Sequence, residues 1–466
     1  MPGRYLPNMA DSSRQLAALA HRLPRGVLRL DEKARASHSG DKWFAASMPD
    51  AVALPRTTAV VSQILKFASR HCIPVTARGA GFGYVGGCVP ARGGIALSLA
   101  RMNRIREISA TDFVAVVQPG VVTADLQDRA EALGLYYPPD PASRADCSIG
   151  GNIATNAGGP RSVKYGTTRD YVLGLEAVLA DGSTARFGGR VHKNKTGFDF
   201  ARLFTGSEGL LGVVTEATLK LLPLPPYRAN YSAGFKTMRR ATRAVRNLFA
   251  KGFLPCAVEL ADHFTLAAAR KRTGTKMFNG CRAHLIVELD GQRAAVRTEM
   301  DALGRIIRSE QPVFLQRANG HRACERVWTV RREFSYSLRD TGLTKINQDV
   351  VVPRGQVENL FALAARLQKK HGIAVACFGH AGDGNIHVNL MLDESRPSFM
   401  KHCNAALDDL FKGVLRLGGA ITGEHGIGIA KKPWWTLAAP PAVRQAHRAV
   451  KRALDPKSIL NPGKFL

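Results

Sequence analysis

Apolar residues recur at helical spacing from Thr58 to Cys72, and the run passes into Ile73-Pro-Val-Thr-Ala-Arg78, a strand by its length and β-branched content. The alternation continues. Phe113 to Gln118 reads as a strand stopped by Pro119-Gly120, Thr123 to Leu133 as the next helix, and Tyr171 to Phe187 as a hairpin with Asp181-Gly182 inside it. Beyond the Leu-Pro-Leu-Pro-Pro segment at 222–226 the order changes. Strand 281–289, helix 292–308 and strand 312–316 form one unit; strand 345–352, helix 354–371 and strand 373–378 form a second of similar shape. Two such units predict an α+β chain whose second half is a ferredoxin-like antiparallel sheet with its helices on one face. A long helix from about Ser398 to Leu417 then precedes a last glycine- and histidine-containing segment.

With 466 residues the chain has room for two or three domains, and the proline-rich stretch sets a boundary at 225/226. Apolar runs such as Ile95 to Ala100 fall far short of the roughly 18 residues that span a bilayer. The N-terminal arginines lead into no continuous apolar core, which argues against a secretory signal and for the cytoplasm. Eight scattered cysteines without a C-x-x-C pair predict reduced thiols and exclude a zinc ribbon.

The net charge of +29 changes this ordinary picture, because it suggests an anionic partner: nucleic acid, an acidic membrane surface or small anionic substrates. The basic residues are spread in small groups with no basic tail, and no helix-turn-helix, RNP or zinc-finger pattern accompanies them. No nucleic-acid partner is expected, and the oligomeric state, a dimer included, is left open.

Gly81-Phe-Gly83-Tyr-Val-Gly86 matches the G-x-G-x-x-G of a dinucleotide fold, but Gly87, Pro90, Gly93 and Gly94 follow where that fold needs a helix. What remains over Arg78-Gly-Ala-Gly-Phe-Gly83 and Gly86-Gly87 is backbone stripped of side chains, able to approach a diphosphate. A second such loop spans 138–159, where Gly150-Gly151 and Gly158-Gly159 bracket Asn152, Thr155 and Asn156; a third is Thr205-Gly-Ser-Glu-Gly209. Any one of them is a plain turn, whereas three in one domain suit a large polar ligand.

In Phe378-Gly-His-Ala-Gly-Asp-Gly-Asn-Ile-His-Val388 two histidines flank a tight turn, and Glu424-His425 adds a carboxylate beside a third. The spacing admits three readings: metal ligands, catalytic bases, or polar residues at the ends of a hairpin. Two imidazoles and one carboxylate suit Zn, Mn or Fe.

Taken together, RGAGFGYVGG, PPDPAS, SIGGNIATNAGGPRSVKYGTTRDYVLGLEAVLADG, LFTGSEGLLGVVTEATLKLLPLP, GHAGDGNIHVN, GEHGIGIAKK and LDPKSILNPGK closely resemble the FAD-linked 2-hydroxyacid dehydrogenases. These are the D-lactate dehydrogenase (cytochrome) and glycolate-oxidase-subunit-D-like members of the vanillyl-alcohol-oxidase, PCMH-type FAD-binding superfamily. The resemblance covers nearly the whole chain from about Trp43. It implies a two-subdomain FAD-binding domain over 1–225, with its motif core at about 46–225. A substrate or cap domain would follow over 226–466, with about 425–466 returning to the first.

It further implies that FAD is bound non-covalently, since no histidine lies in the first glycine loop. Arg78, Gly79, Ala80, Gly81, Phe82, Gly83, Gly86 and Gly87 would hold its diphosphate. Pro139, Asp140, Ser148, Gly150, Gly151, Asn152, Thr155 and Asn156 would lie along the flavin and its chain. Glu208, Gly209 and Val214 would reach the adenosine end, and Asn461 the flavin edge. His380, His387 and Glu424 would ligate a divalent metal, zinc first and Mn or Fe next, and His425 would be the catalytic base. Arg332 would grip the substrate carboxylate, with the register to Arg331 open, and Asn389 would share the face of His387.

The sequence departs from the family in four places. Leu210 stands where Thr is common, Phe82 and Tyr84 stand where small residues are common, and Asn347 takes the place of a substrate-binding lysine, with Lys345 two residues earlier. The implied reaction is oxidation of a D-2-hydroxy acid, D-lactate ahead of glycolate and D-2-hydroxyglutarate, with hydride passing to flavin N5. With no haem or iron–sulfur motif, electrons must leave to an external cytochrome c, quinone, electron-transfer flavoprotein or oxygen. The positive charge would suit peripheral contact with an anionic inner membrane. A metal-free alcohol or sugar oxidase of the same superfamily would leave the histidines unexplained.

Overall fold

In the computed structural model, which describes residues 9–395, 397 and 399–466, the first half builds two sheets. A four-stranded sheet carries strands Leu28–Arg29, Ala51–Ala53, Ile95–Ser98 and Val75–Arg78 in that order, the last three parallel. Helix Thr58–His71 covers it, capped by the Thr57 hydroxyl, and buries Val61, Ile64, Leu65 and Ala68 at the spacing that the pattern predicts. A five-stranded antiparallel sheet holds the hairpin Val172–Val178 and Thr184–Gly188 together with Val213–Lys220, Val114–Val117 and Ile105–Ser109.

The second half is one seven-stranded antiparallel sheet. Across it run Phe314–Asn319, Tyr227–Phe235, Ala283–Gly291, Ala257–Asp262, Ala374–His380, Asn385–Leu392 and Thr344–Val351. Its first four strands in chain order stand fourth, first, third, second, which is the ferredoxin-like arrangement.

Two features of this half differ from expectation. Helices cover both faces, not one. Val258 and Leu260 pack into the core that holds Leu248, Leu303, Leu360 and Phe411 of one helical layer. Ala261 turns the other way, toward Leu266, Phe334 and Leu338 of helices His263–Thr273 and His321–Arg339. Strand Tyr227–Phe235 went unassigned in the sequence although its apolar residues alternate: Ala229, Tyr231, Ala233 and Phe235 face one core, and the polar residues between them are buried on the other face, where they pair across the sheet. Asn230 Nδ2 donates to Glu288 (3.1 Å), and Ser232 shares a 2.8 Å hydrogen bond with His284.

The chain end returns to the first half. Asn461 N donates to Val75 O (2.7 Å), and the buried Lys464 ammonium donates to Val89 O (2.6 Å). No helix among the described residues is long and apolar enough to cross a membrane.

Candidate active site

A cavity of about 990 Å³ runs between the glycine loops of the first half and the part of the large sheet that carries Phe378, His380 and His387, beside helix His321–Arg339. Its floor depends on missing side chains. A Cβ on Gly79 would come within 2.6 Å of Ser148 Oγ and 3.2 Å of Gly151 N, so the first two glycine loops touch with no room between them. Residues 149–155, read from sequence as part of a loop, form helix Ile149–Thr155. Ser148 caps it (3.4 Å to Gly151 N), and Ile149 and Ile153, one turn apart, anchor it in the core. Arg78 folds back over Gly81 and donates to Gly40 O (2.6 Å).

The cavity brings together most of the expected cofactor residues. Arg78 to Gly83, Gly87, Asp140, Ser148, Gly150, Gly151, Asn152, Thr155, Glu208, Gly209 and Val214 line it. Pro139, Gly86, Asn156 and Asn461 stand behind the wall. Pro139 O accepts from Gln127, Gly86 packs on Ile429, and Asn156 Oδ1 accepts from Thr167 and Arg169. Asn461 Nδ2 donates to Glu208 O (2.6 Å) and Gly87 O (3.0 Å), tying the glycine loops together from below. The Glu208 carboxylate, expected at an adenosine, instead accepts the amides of Ile427 and Gly428 (2.8 Å each) just past His425. Both oxygens of the Glu208 carboxylate are thus engaged by backbone amides of a distant segment.

At the far end of the same cavity, one ligand atom each from His380, His387 and Glu424 lies within 4.8 Å of the others. Strands Ala374–His380 and Asn385–Leu392 pair so that His387 is opposite Phe378 and His380 opposite Asn385, which places both imidazoles on one face of the sheet. Glu424 Oε1 lies 3.7 Å from His387 Nε2 and 3.9 Å from His425 Nε2, too far for hydrogen bonds. Burial lifts the Glu424 carboxyl to about 7, and no Lys or Arg pairs with it among the described residues. Two nitrogens and one oxygen facing a gap, with a half-buried carboxylate that no Lys or Arg pairs among the described residues, fit a divalent ion.

Asp349 builds the loop that carries Glu424 and His425. Its Oδ2 accepts the amides of Gly423, Glu424 and His425 (2.9, 3.0 and 3.0 Å) and the Thr422 hydroxyl (2.9 Å), while Oδ1 accepts from Asn385 (2.6 Å). Burial raises the pKa of this carboxyl, but His425, Lys431 and His387 outweigh it and hold the group ionised, well below its usual range. His425 stacks between Tyr84 (5.3 Å) and His387 (5.7 Å), and burial lowers its pKa to about 4, leaving a neutral imidazole.

Arg331 and Arg332 both line the cavity, and helix phase gives them different surroundings. Arg331 shares the inner side of helix His321–Arg339 with Trp328 and Phe334 and is nearly buried. Its guanidinium lies over Phe378 (4.8 Å), with Nε and Nη2 on Glu259 Oε2 (2.6 and 2.5 Å). Arg332, one residue round the helix, lies at the exposed rim on Glu325 (2.5 Å) and Thr329 (3.1 Å). Asn389 does share the face of His387 but sits beneath it, its Nδ2 donating to Ala376 O (3.0 Å) and His387 O (3.2 Å). Its cross-strand partner Asn347 lines the cavity instead. Glu259, Asp349 and Tyr84 were given no role in the sequence, and Arg331 entered only as the alternative register to Arg332. The one available signal for the two acids was a carboxylate among the apolar residues of AVELAD and of QDVVV.

A glycine-lined groove that opens onto an antiparallel cap sheet is the architecture of PCMH-type flavoenzymes. Solved relatives share it: p-cresol methylhydroxylase with substrate bound superposes with a TM-score of 0.82 at 20% identity, over 98% of this chain and 97% of that one. A 4-ethylphenol oxidase from Gulosibacter chungangensis gives 0.78 at 21%, over 98% and 97%. Residues 49–188 match the FAD binding domain, and residues 224–465 match the FAD linked oxidases, C-terminal domain. The chain belongs to the FAD-linked oxidase family and is an FAD-linked oxidoreductase of the glycolate oxidase and D-lactate dehydrogenase type. It is 39% identical to glycolate oxidase subunit GlcD of Bacillus subtilis, covering 90% of this chain and 89% of the relative. It is 31% identical to a D-lactate dehydrogenase of Anaerostipes hadrus, covering 99% and 98%.

Proposed function

We propose that the protein is a divalent-metal-dependent dehydrogenase of small D-2-hydroxy acids, with D-lactate and glycolate as the leading substrates. One observation carries this reading: the two-histidine, one-glutamate cluster and the neutral His425 open onto the same cavity as the FAD-binding loops. The names of the relatives support the two substrates equally.

Bound FAD would supply the two-electron acceptor, and a metal on His380 Nε2, His387 and Glu424 would supply Lewis acidity toward the substrate hydroxyl. The protein's own share is orientation and proton handling. His425, kept neutral by burial, accepts the hydroxyl proton, and Tyr84 and His387 fix its ring plane. Arg331, held against Phe378, supplies positive charge for the substrate carboxylate, and Asn347 adds an amide at the cavity wall. Electrons leave to an external acceptor such as cytochrome c, a quinone or an electron-transfer flavoprotein, and the net positive charge favours peripheral contact with an anionic membrane.

The test is dye reduction by a panel of D- and L-2-hydroxy acids, before and after chelation and zinc or manganese add-back. Activity should require a D-hydroxy acid or glycolate, fall by at least about a hundredfold on chelation, and return with metal. His425→Ala should lose flavin reduction by about 10²–10⁴-fold while keeping its flavin absorbance. Full activity after metal removal, or normal reduction by the variant, would refute the reading.

A further inference from the structure

We infer that Glu259 is a positioning residue serving two sites at once: it orients the metal ligand His380 and holds the cavity arginine Arg331. Strand Ala257–Asp262 pairs with strand Ala374–His380 so that Glu259 stands directly opposite His380. Alternation turns Val258 and Leu260 into the core and Glu259 to the other face, behind the cavity wall and 1% exposed.

Its two oxygens are divided between two partners. Oε1 accepts from His380 Nδ1, and Oε2 accepts Nε and Nη2 of Arg331 (2.6 and 2.5 Å). The first bond keeps a proton on Nδ1, so Nε2 is the ring nitrogen left to a metal, which would bind there in place of a proton. The second holds Arg331 over Phe378, with Phe334 also within 5.6 Å of the guanidinium.

A charge argument adds to the geometric one. A guanidinium this near a divalent cation repels it, and the buried Glu259 carboxylate offsets that repulsion where solvent cannot screen it. One side chain therefore couples the site for the ion with the site for the substrate carboxylate. This inference rests on the metal reading above.

The experiment uses FAD-loaded full-length protein, with flavin absorbance as the check on folding. Zinc affinity is measured by competition with a chromogenic chelator, and kcat and KM with D-lactate or glycolate. Glu259→Ala should weaken zinc by about 10- to 100-fold and raise KM. Glu259→Gln keeps an acceptor for His380 but has no charge for Arg331, so KM should rise more than zinc affinity falls. Arg331→Ala should raise KM without weakening zinc.

Wild-type zinc affinity in a flavin-loaded Glu259→Ala protein would overturn the proposal. So would an unchanged KM in Glu259→Gln, a variant of equal volume that carries the test should the alanine variant fail to fold. Wild-type protein that takes up neither zinc nor manganese would instead sink the metal reading itself.

Discussion

Buried acids arrange this site more than the histidines do. Burial raises the pKa of Glu259, but Arg331 and His380 outweigh it and bring the group to about 2; the same contact lifts His380 to about 9 against the effect of its own burial. His380, His387 and Glu424 were legible because glycines flank them. Glu259 and Asp349 were not, since each reads as an acid among apolar strand residues with no motif around it, and Glu259 lies 121 residues from His380. A related effect governs His284, which is enclosed by Phe278, Phe314 and Phe334 and bonded to Ser232. Burial, with Arg331 adding to it, lowers its pKa to about 3. Between about pH 6.5 and 3 the unfolded chain binds a proton here that the fold refuses, so the stability this neutral group contributes is complete above 6.5 and declines as pH falls. Urea unfolding from pH 7.5 to 4.5 should show a steeper acid loss for the native protein than for His284→Phe. Equal slopes would contradict this.

At the scale of elements, phase and anchoring decide what the motifs leave open. The hydrophobic pattern placed helix Thr58–His71, which buries one regular face, and the Asp181-Gly182 turn placed the hairpin from Val172. It could not choose between Arg331 and Arg332, whose difference is one step of helical rotation against Phe378. It also missed helix Ile149–Thr155, which two isoleucines and a serine cap hold in a glycine-rich stretch. The 422–425 loop is an element only by virtue of Asp349, which satisfies three of its amides. Asp349→Asn turns a fivefold acceptor into a group with two donors of its own. It should cost about 3–5 kcal/mol, visible as a lowered thermal midpoint, and abolish zinc binding. An unchanged midpoint with intact zinc affinity would show that the loop holds its shape unaided.

For the whole molecule the +29 net charge is spread along the chain, while the cavity's own arginines are largely paired, Arg161 with Asp140 and Glu288 and Arg331 with Glu259. The excess therefore acts as a general surface field. Sedimentation with phosphatidylserine-containing vesicles should be strong at low salt and lost by about 0.5 M, where the screening length is only a few ångströms. No sedimentation at low salt would remove the case for membrane contact.

Local chemistry travels with the chain: glycine loops that clear backbone for a large polar ligand, glycine-flanked histidines, and an excess of Lys and Arg over Asp and Glu. Convergence does not. Which arginine lies over Phe378, which acid bonds to His380, and that Asn347 and not Asn389 lines the cavity all follow from pairing across one antiparallel sheet and from the phase of one helix laid upon it. Those contacts join residues far apart in sequence, where spacing along the chain carries no information about distance.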